Sequence, residues 1–174
     1  MVFVWLICST RSLIRIINDL DVTEQPPLNL PPVELRLKKD GKLLKVFDSL
    51  RQKYVALTPE EYVRQHFTAW MINSLGYPAS LMSNEVSLKL NETRRRCDTV
   101  VFRSDGNPSV IVEYKAPTVA ISQAVFDQIA RYNMVLRSHF LIVSNGLRHF
   151  CCEMDYDNDS YRFLPYIPVW SAEI

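Results

Sequence analysis

The chain is short of glycine. Only four occur among 174 residues, at positions 41, 76, 106 and 146. No two lie closer than 30 residues. This spacing excludes the GxxxxGK[ST] phosphate loop, the GxGxxG dinucleotide fingerprint and the GxSxG nucleophile elbow. Common nucleotide-cofactor enzymes, ATP-driven motors and the usual serine hydrolases are thereby set aside. Charge of one sign is also missing. Twenty basic side chains face nineteen acidic ones, so any nucleic-acid contact must come from local clusters. The four cysteines, Cys8, Cys97, Cys151 and Cys152, match no CxxC zinc spacing. They read as reduced, buried residues of a cytoplasmic protein. Cys151 and Cys152 are adjacent, so on a strand they point to opposite faces. The one apolar run near the start, Val2 to Cys8, is too short to span a membrane. It also lacks the preceding positive charge of a secretory signal.

What remains is an ordinary composition, 48% hydrophobic and 22% charged, with length for one real core. Residues 1–27 read as a leader ending in Asp21-Val-Thr-Glu-Gln-Pro-Pro27, and 28–174 as a single domain. In the lead-in, Val33–Leu37 and Leu43–Phe47 flank a turn at Lys39-Asp-Gly-Lys42, and Lys53–Leu57 adds a short strand. Thr58-Pro59-Glu60-Glu61 is a helix start: Thr as N-cap, Pro at the first helical position, Glu three residues after the cap. Val63, Phe67, Trp70, Met71 and Ser74 follow at helical spacing until Gly76. Strands are predicted at Leu81–Leu90, Arg95–Phe102 and Val110–Lys115, with turns at Asn91-Glu-Thr93 and Ser104-Asp-Gly-Asn107. A second helix follows through Ile121, Val125, Ile129, Tyr132 and Leu136. Strands at Phe140–Val143, Arg148–Glu153 and Tyr161–Leu164 complete the chain, with Pro165 and Pro168 ending its ordered part. The order from residue 58 is α-β-β-β-α-β, a mixed sheet flanked by helices.

A two-residue turn at Asp105-Gly106 would set Ser104 opposite Asn107 and Asp98 opposite Glu113. Period two then places Asp98, Glu113 and Lys115 on one face, far from the turn. Facing carboxylates repel unless a cation lies between them, and Mg²⁺ prefers carboxylate oxygen while keeping waters for substrate. A neighbouring lysine suits the charge of a phosphodiester transition state. Arg94-Arg95-Arg96, beside Asp98, is either a solvated turn or a phosphate contact. Glu113 and Lys115 also fit a solvated pair on a strand face. His66, His139 and His149 are scattered and read as core or surface residues.

These residues carry a resemblance. Asp98 followed by Glu113-Tyr114-Lys115, behind a capped helix with an acidic start, resembles the PD-(D/E)XK nuclease superfamily. TPEEYVRQHF, LGYPASLM, RRRCDTVVF, VIVEYKAP, FDQIARYN and SNGLRHFCC are similar to the N-terminal domain of type I restriction enzyme R subunits, over about residues 28–170. The resemblance implies a restriction-endonuclease-like fold and Mg²⁺-dependent DNA cleavage, with Mn²⁺ as a substitute. It implies Asp98 and Glu113 as metal-binding acids, the Tyr114 carbonyl as a further ligand and Lys115 as the catalytic lysine. Gln128 and Tyr132 match a Q-x-x-x-Y element that contacts DNA, with Arg94 and Arg96 as further contacts. Cys97 stands where the superfamily has proline. An accessory acid is expected on the first helix. The apolar stripe favours Glu60, leaving Glu61 to the cap, with Glu85 as a third candidate. DNA is the expected partner, alongside a protein supplying motor or specificity. The alternative is a catalytically silent binding or interaction module of the same fold.

Overall fold

The computed structural model describes residues 25–90 and 93–171. Most of the expected leader, including Cys8, lies outside them, as do Asn91 and Glu92 of the second predicted turn.

A small antiparallel meander comes first: β1 (Leu37–Asp40), β2 (Leu43–Asp48) and β3 (Lys53–Ala56). Helix α1 (Pro59–Asn73) follows, then a short 3₁₀ turn at Ala79–Leu81. The main sheet runs β4 (Met82–Leu90), β5 (Thr93–Phe102), β6 (Pro108–Tyr114), β7 (Phe140–Ser144), β8 (His149–Asp155) and β9 (Ser160–Leu164), in that spatial order. Helix α2 (Gln123–Leu136) joins β6 to β7, which pair in parallel, whereas the other neighbours are antiparallel. This is the expected α-β-β-β-α-β core in a mixed sheet.

The two helices cover opposite faces. Val63, Phe67 and Met71 of α1 pack on Val101, Val110, Val112, Tyr114 and Ile142. Phe126 and Ala130 of α2 pack on Val100, Ile111, Leu141 and Val143. Burial on both sides explains why β6 and β7 read as continuous apolar runs rather than alternating ones. Cys151 joins the α1 side and Cys152 the α2 side, as adjacent residues on a strand must.

Several expectations shift. The first strand begins at Leu37, not Val33: the ladder with β2 pairs from Leu37 onward, preceded by a bond from the Phe47 N–H to the Arg36 carbonyl at 2.9 Å. The β5–β6 turn is not two residues long. Arg103 donates its N–H to the Asn107 carbonyl at 2.9 Å, and Gly106 donates back to the Arg103 carbonyl at 2.9 Å. Gly106 sits at φ +83°, the left-handed position of a three-residue loop. Ser104 therefore does not face Asn107. The loop sets Phe102 against Pro108, and a bulge there restores Val101 to Val110 and Thr99 to Val112. The register further along is the expected one, reached through two compensating irregularities. Order also does not end at Pro165: Tyr77 Oη donates to the Pro168 carbonyl, and Trp170 N–H to the Leu75 carbonyl.

Candidate active site

The site sits where β4, β5 and β6 meet the start of α1, and the meander contributes to it. β6 ends at Tyr114, but Lys115 still donates its N–H to the Ser144 carbonyl at 2.9 Å, so it holds a strand-like place beside Glu113. Asp98 joins the elements. One carboxylate oxygen accepts from the Tyr114 backbone N–H at 2.8 Å, and the other from Arg64 of α1 at 3.0 Å.

Glu113 lies against Asp98 and has little to balance it. Burial first, and then the Asp98 charge, push its carboxyl up to about 8. Lys115, the Asp98 backbone N–H and Arg64 pull the other way without cancelling this. Cys97 shares the location: burial, with the charges of Glu113 and Asp98, pushes its thiol up to about 12. It is an inert packed thiol rather than a nucleophile.

Beside this pair lies a denser ionic network that the sequence did not announce. Arg64, 4% exposed, binds Glu61 at 3.0 Å, Glu85 at 2.6 Å and Asp98 at 3.0 Å. It also lies over the Tyr114 ring, 5.6 Å from the centroid. Arg51, from the β2–β3 turn, places one terminal nitrogen 2.8 Å from both Glu61 oxygens and its Nε on Asp48. Gln65 donates to Glu61 at 2.8 Å. Asp48 is fully buried and accepts further from Leu50 N, Arg51 N and Asn84. Burial would raise its carboxyl, but the Asn84 and Arg51 hydrogen bonds hold it below the ordinary aspartate value. Glu85 is likewise held down against burial, chiefly by Arg64. Under the network, hydroxyls form a relay: Tyr114 Oη donates to Thr99 at 3.1 Å, and Thr99 donates to Asn84 at 2.6 Å.

On the first helix it is Glu61, and not the expected Glu60, that turns toward the Asp98 network. Glu60 is exposed, whereas Glu61 is 6% exposed and fully engaged. Thr58 caps the helix by accepting from the Glu61 N–H at 3.1 Å. The Glu61 carboxylate does not return the bond, because Thr58 N–H goes to the Ala56 carbonyl. The apolar stripe misplaced the phase because the helix buries a polar flank as well: Glu61, Arg64, Gln65 and Thr68 are all buried. Spacings of three and four residues from Glu61 to Arg64 and Gln65 were the available signal.

The remaining candidates are more peripheral. Arg96 is 69% exposed in its side chain and pairs with Glu85. Gln128 is exposed on α2. The side chains of Arg94 and Tyr132 lie outside the described set. His66 bonds the Tyr62 carbonyl, His149 bonds Ser144 and the Asn29 carbonyl, and His139 pairs with Glu153. Among the described residues, no three His, Cys, Asp or Glu side chains gather as a metal cage. No helix among them is long and apolar enough to cross a membrane.

Comparison with known proteins gives one family. The model of the type I restriction enzyme R protein N terminus (HSDR_N) matches residues 59–168, which contain α1, the whole main sheet and every acid of the site except Asp48. Among solved structures, a fragment described as an HsdR subunit of a type I restriction enzyme from Vibrio vulnificus YJ016 is 20% identical, with a TM-score of 0.47. The alignment covers 65% of this chain and 24% of that one, so the chain spans about a quarter of that structure. No curated protein matches the sequence.

Proposed function

The chain belongs to the type I restriction enzyme R protein N-terminus family, and from that premise we propose that it hydrolyses DNA phosphodiester bonds with Mg²⁺, or Mn²⁺, held at Asp98 and Glu113. The observation that carries this reading is the unbalanced pair. Glu113 is set against Asp98 in a half-buried place, and its carboxyl is pushed up to about 8. A protein gains nothing in stability from two facing carboxylates, and a divalent cation relieves both the repulsion and the burial cost.

The donor set fits such an ion. Mg²⁺ takes one or two protein carboxylates and otherwise keeps waters, so a cage of three acids is not required. Asp98 and Glu113 would hold it, with the Tyr114 carbonyl as a further oxygen. When bound, the ion supplies Lewis acidity and a more acidic water. The chain's own residues supply the rest. The Tyr114 N–H and Arg64 fix the Asp98 carboxylate. Lys115 donates toward the attacking water and offsets charge gathering on the phosphate oxygens. Arg94, Arg96, Gln128 and Tyr132 contact the DNA backbone. A protein partner brings the motor or the sequence specificity, and the complex works in the cytoplasm.

The test is cleavage of duplex, single-stranded and branched DNA by wild type and Glu113→Gln, with Mg²⁺ and with chelator. Metal-dependent cleavage lost in the variant is the expected result. Cleavage that survives the substitution refutes the assignment. One observation favours the silent-module alternative: Arg64 already commits one Asp98 oxygen to a permanent cation. DNA binding without cleavage under any of these conditions would establish that alternative.

A further inference from the structure

We propose that Arg64 is a positioning residue that takes the place of a second cation, confining divalent-metal binding to the Asp98–Glu113 edge of the site. The grounds are its partners and its burial. Arg64 bridges Glu85 at 2.6 Å and Asp98 at 3.0 Å, two acids from neighbouring strands, and touches Glu61 from its own helix at 3.0 Å. The guanidinium leaves its Nε buried without a hydrogen-bond partner and sends its terminal nitrogens to Glu61, Glu85 and Asp98. It is placed to put positive charge between carboxylates.

The charge balance makes the role specific. Four carboxylates, Asp48, Glu61, Glu85 and Asp98, meet three guanidiniums, those of Arg51, Arg64 and Arg96. One negative charge is left over. Without Arg64 the excess is two, which one divalent ion cancels. The loss would not leave every acid bare. Glu61 keeps Arg51 and Gln65, and Glu85 keeps Arg96. Asp98 keeps the Tyr114 N–H but loses its cation. The vacated position thus lies between Glu85 and Asp98, both oxygen donors of the kind Mg²⁺ and Mn²⁺ accept.

The inference rests on the proposed metal site at Asp98 and Glu113, and the change in metal count keeps the failure of one distinguishable from the failure of the other. Mn²⁺ is titrated into the full chain by calorimetry, with electron paramagnetic resonance counting bound ions, for wild type, Arg64→Met and Arg64→Lys. Arg64→Met is expected to bind one Mn²⁺ more than wild type. Arg64→Lys keeps a cation and is expected to match wild type. A change from one ion to two supports both readings. A change from none to one supports the role of Arg64 while removing the metal site from the nuclease proposal. An unchanged count in Arg64→Met overturns the inference and leaves Arg64 a structural ion-pair partner. If Arg64→Met does not fold in metal-free buffer, millimolar Mn²⁺ is expected to restore a cooperative melt. Failure to restore it also overturns the inference.

Discussion

Two groups of acids lie side by side at this end of the sheet and are treated in opposite ways. Asp48, Glu61 and Glu85 are each matched by arginine, and the carboxyls of Asp48 and Glu85 are held low. Glu113, on β6, has Lys115, the Asp98 backbone N–H and a share of Arg64 against burial and the Asp98 charge, and its carboxyl is still pushed up. The same residue type is thus structural where its charge is met inside the chain, and available for chemistry where it is not. Strongly shifted carboxyls mark functional sites only when the shift has this unmet character.

The largest effect expected from this contrast is on rate. Lys115→Ala removes the lysine whose charge acts on Glu113. Cleavage should fall by about 10² to 10⁴-fold, the usual loss for a group acting on proton transfer or transition-state charge. The melting free energy should change by less than about 1 kcal/mol, since the residue follows the last position of β6. Unchanged cleavage removes Lys115 from the mechanism.

Arg51→Met should show the reverse pattern, a stability effect first. It strips Asp48, fully buried, and Glu61, nearly so, of their shared cation. Breaking a buried pair from one side costs about 3–5 kcal/mol. A urea melt showing less than about 1 kcal/mol would mean that the network is not the internal brace described here.

The two groups should also fail at opposite ends of the pH scale. For Glu113 the folded value, about 8, lies above the ordinary glutamate value. Its contribution is complete below the ordinary value and is lost as pH rises through about 8. The stability of wild type relative to Glu113→Gln should therefore decline between about pH 5 and pH 8, by on the order of a few kcal/mol. Asp48 has the opposite sign: its folded value is lowered, so its contribution is present at neutral pH and is lost on acidification below the ordinary aspartate value. Melts across pH for wild type, Glu113→Gln and Asp48→Asn measure both. Parallel curves for wild type and Glu113→Gln would show Glu113 to be an ordinary carboxylate.

The smallest effect is expected for Glu60→Gln. Glu60 is exposed at the first turn of α1, so stability should move by no more than about 0.5 kcal/mol. Metal binding and cleavage should not change. A loss of metal affinity would restore Glu60 to the site and displace Glu61.

The fold was legible where its signals are local. The Thr58 cap, the left-handed glycines and the apolar runs of β6 and β7 each follow from a few neighbouring residues. The closeness of Asp98 and Glu113 was legible for a less secure reason. A loop one residue longer than expected and a bulge after Pro108 shift the register in opposite senses and cancel. Arg64 and Arg51 were not legible, because ion pairs such as Arg64 with Asp98, 34 positions apart, leave no local pattern. On α1, Glu61 was read only as the partner of the cap and Arg64 and Gln65 were not singled out, although all three are buried. The lead-in, read as a preface, delivers Asp48 and Arg51 to the site.

Cys151 and Cys152 follow one another on β8, yet one belongs to the interior beneath α1 and the other to the interior beneath α2. Both thiols are buried and raised to about 12, so neither reacts while its side stays closed. Each is therefore a chemical clock for one half of the molecule. Single-cysteine variants followed by thiol labelling would time the opening of the two halves separately. Equal labelling rates would mean that α1 and α2 lift together. Faster labelling of Cys152 would mean that the α2 layer breathes while the arginine-braced side holds.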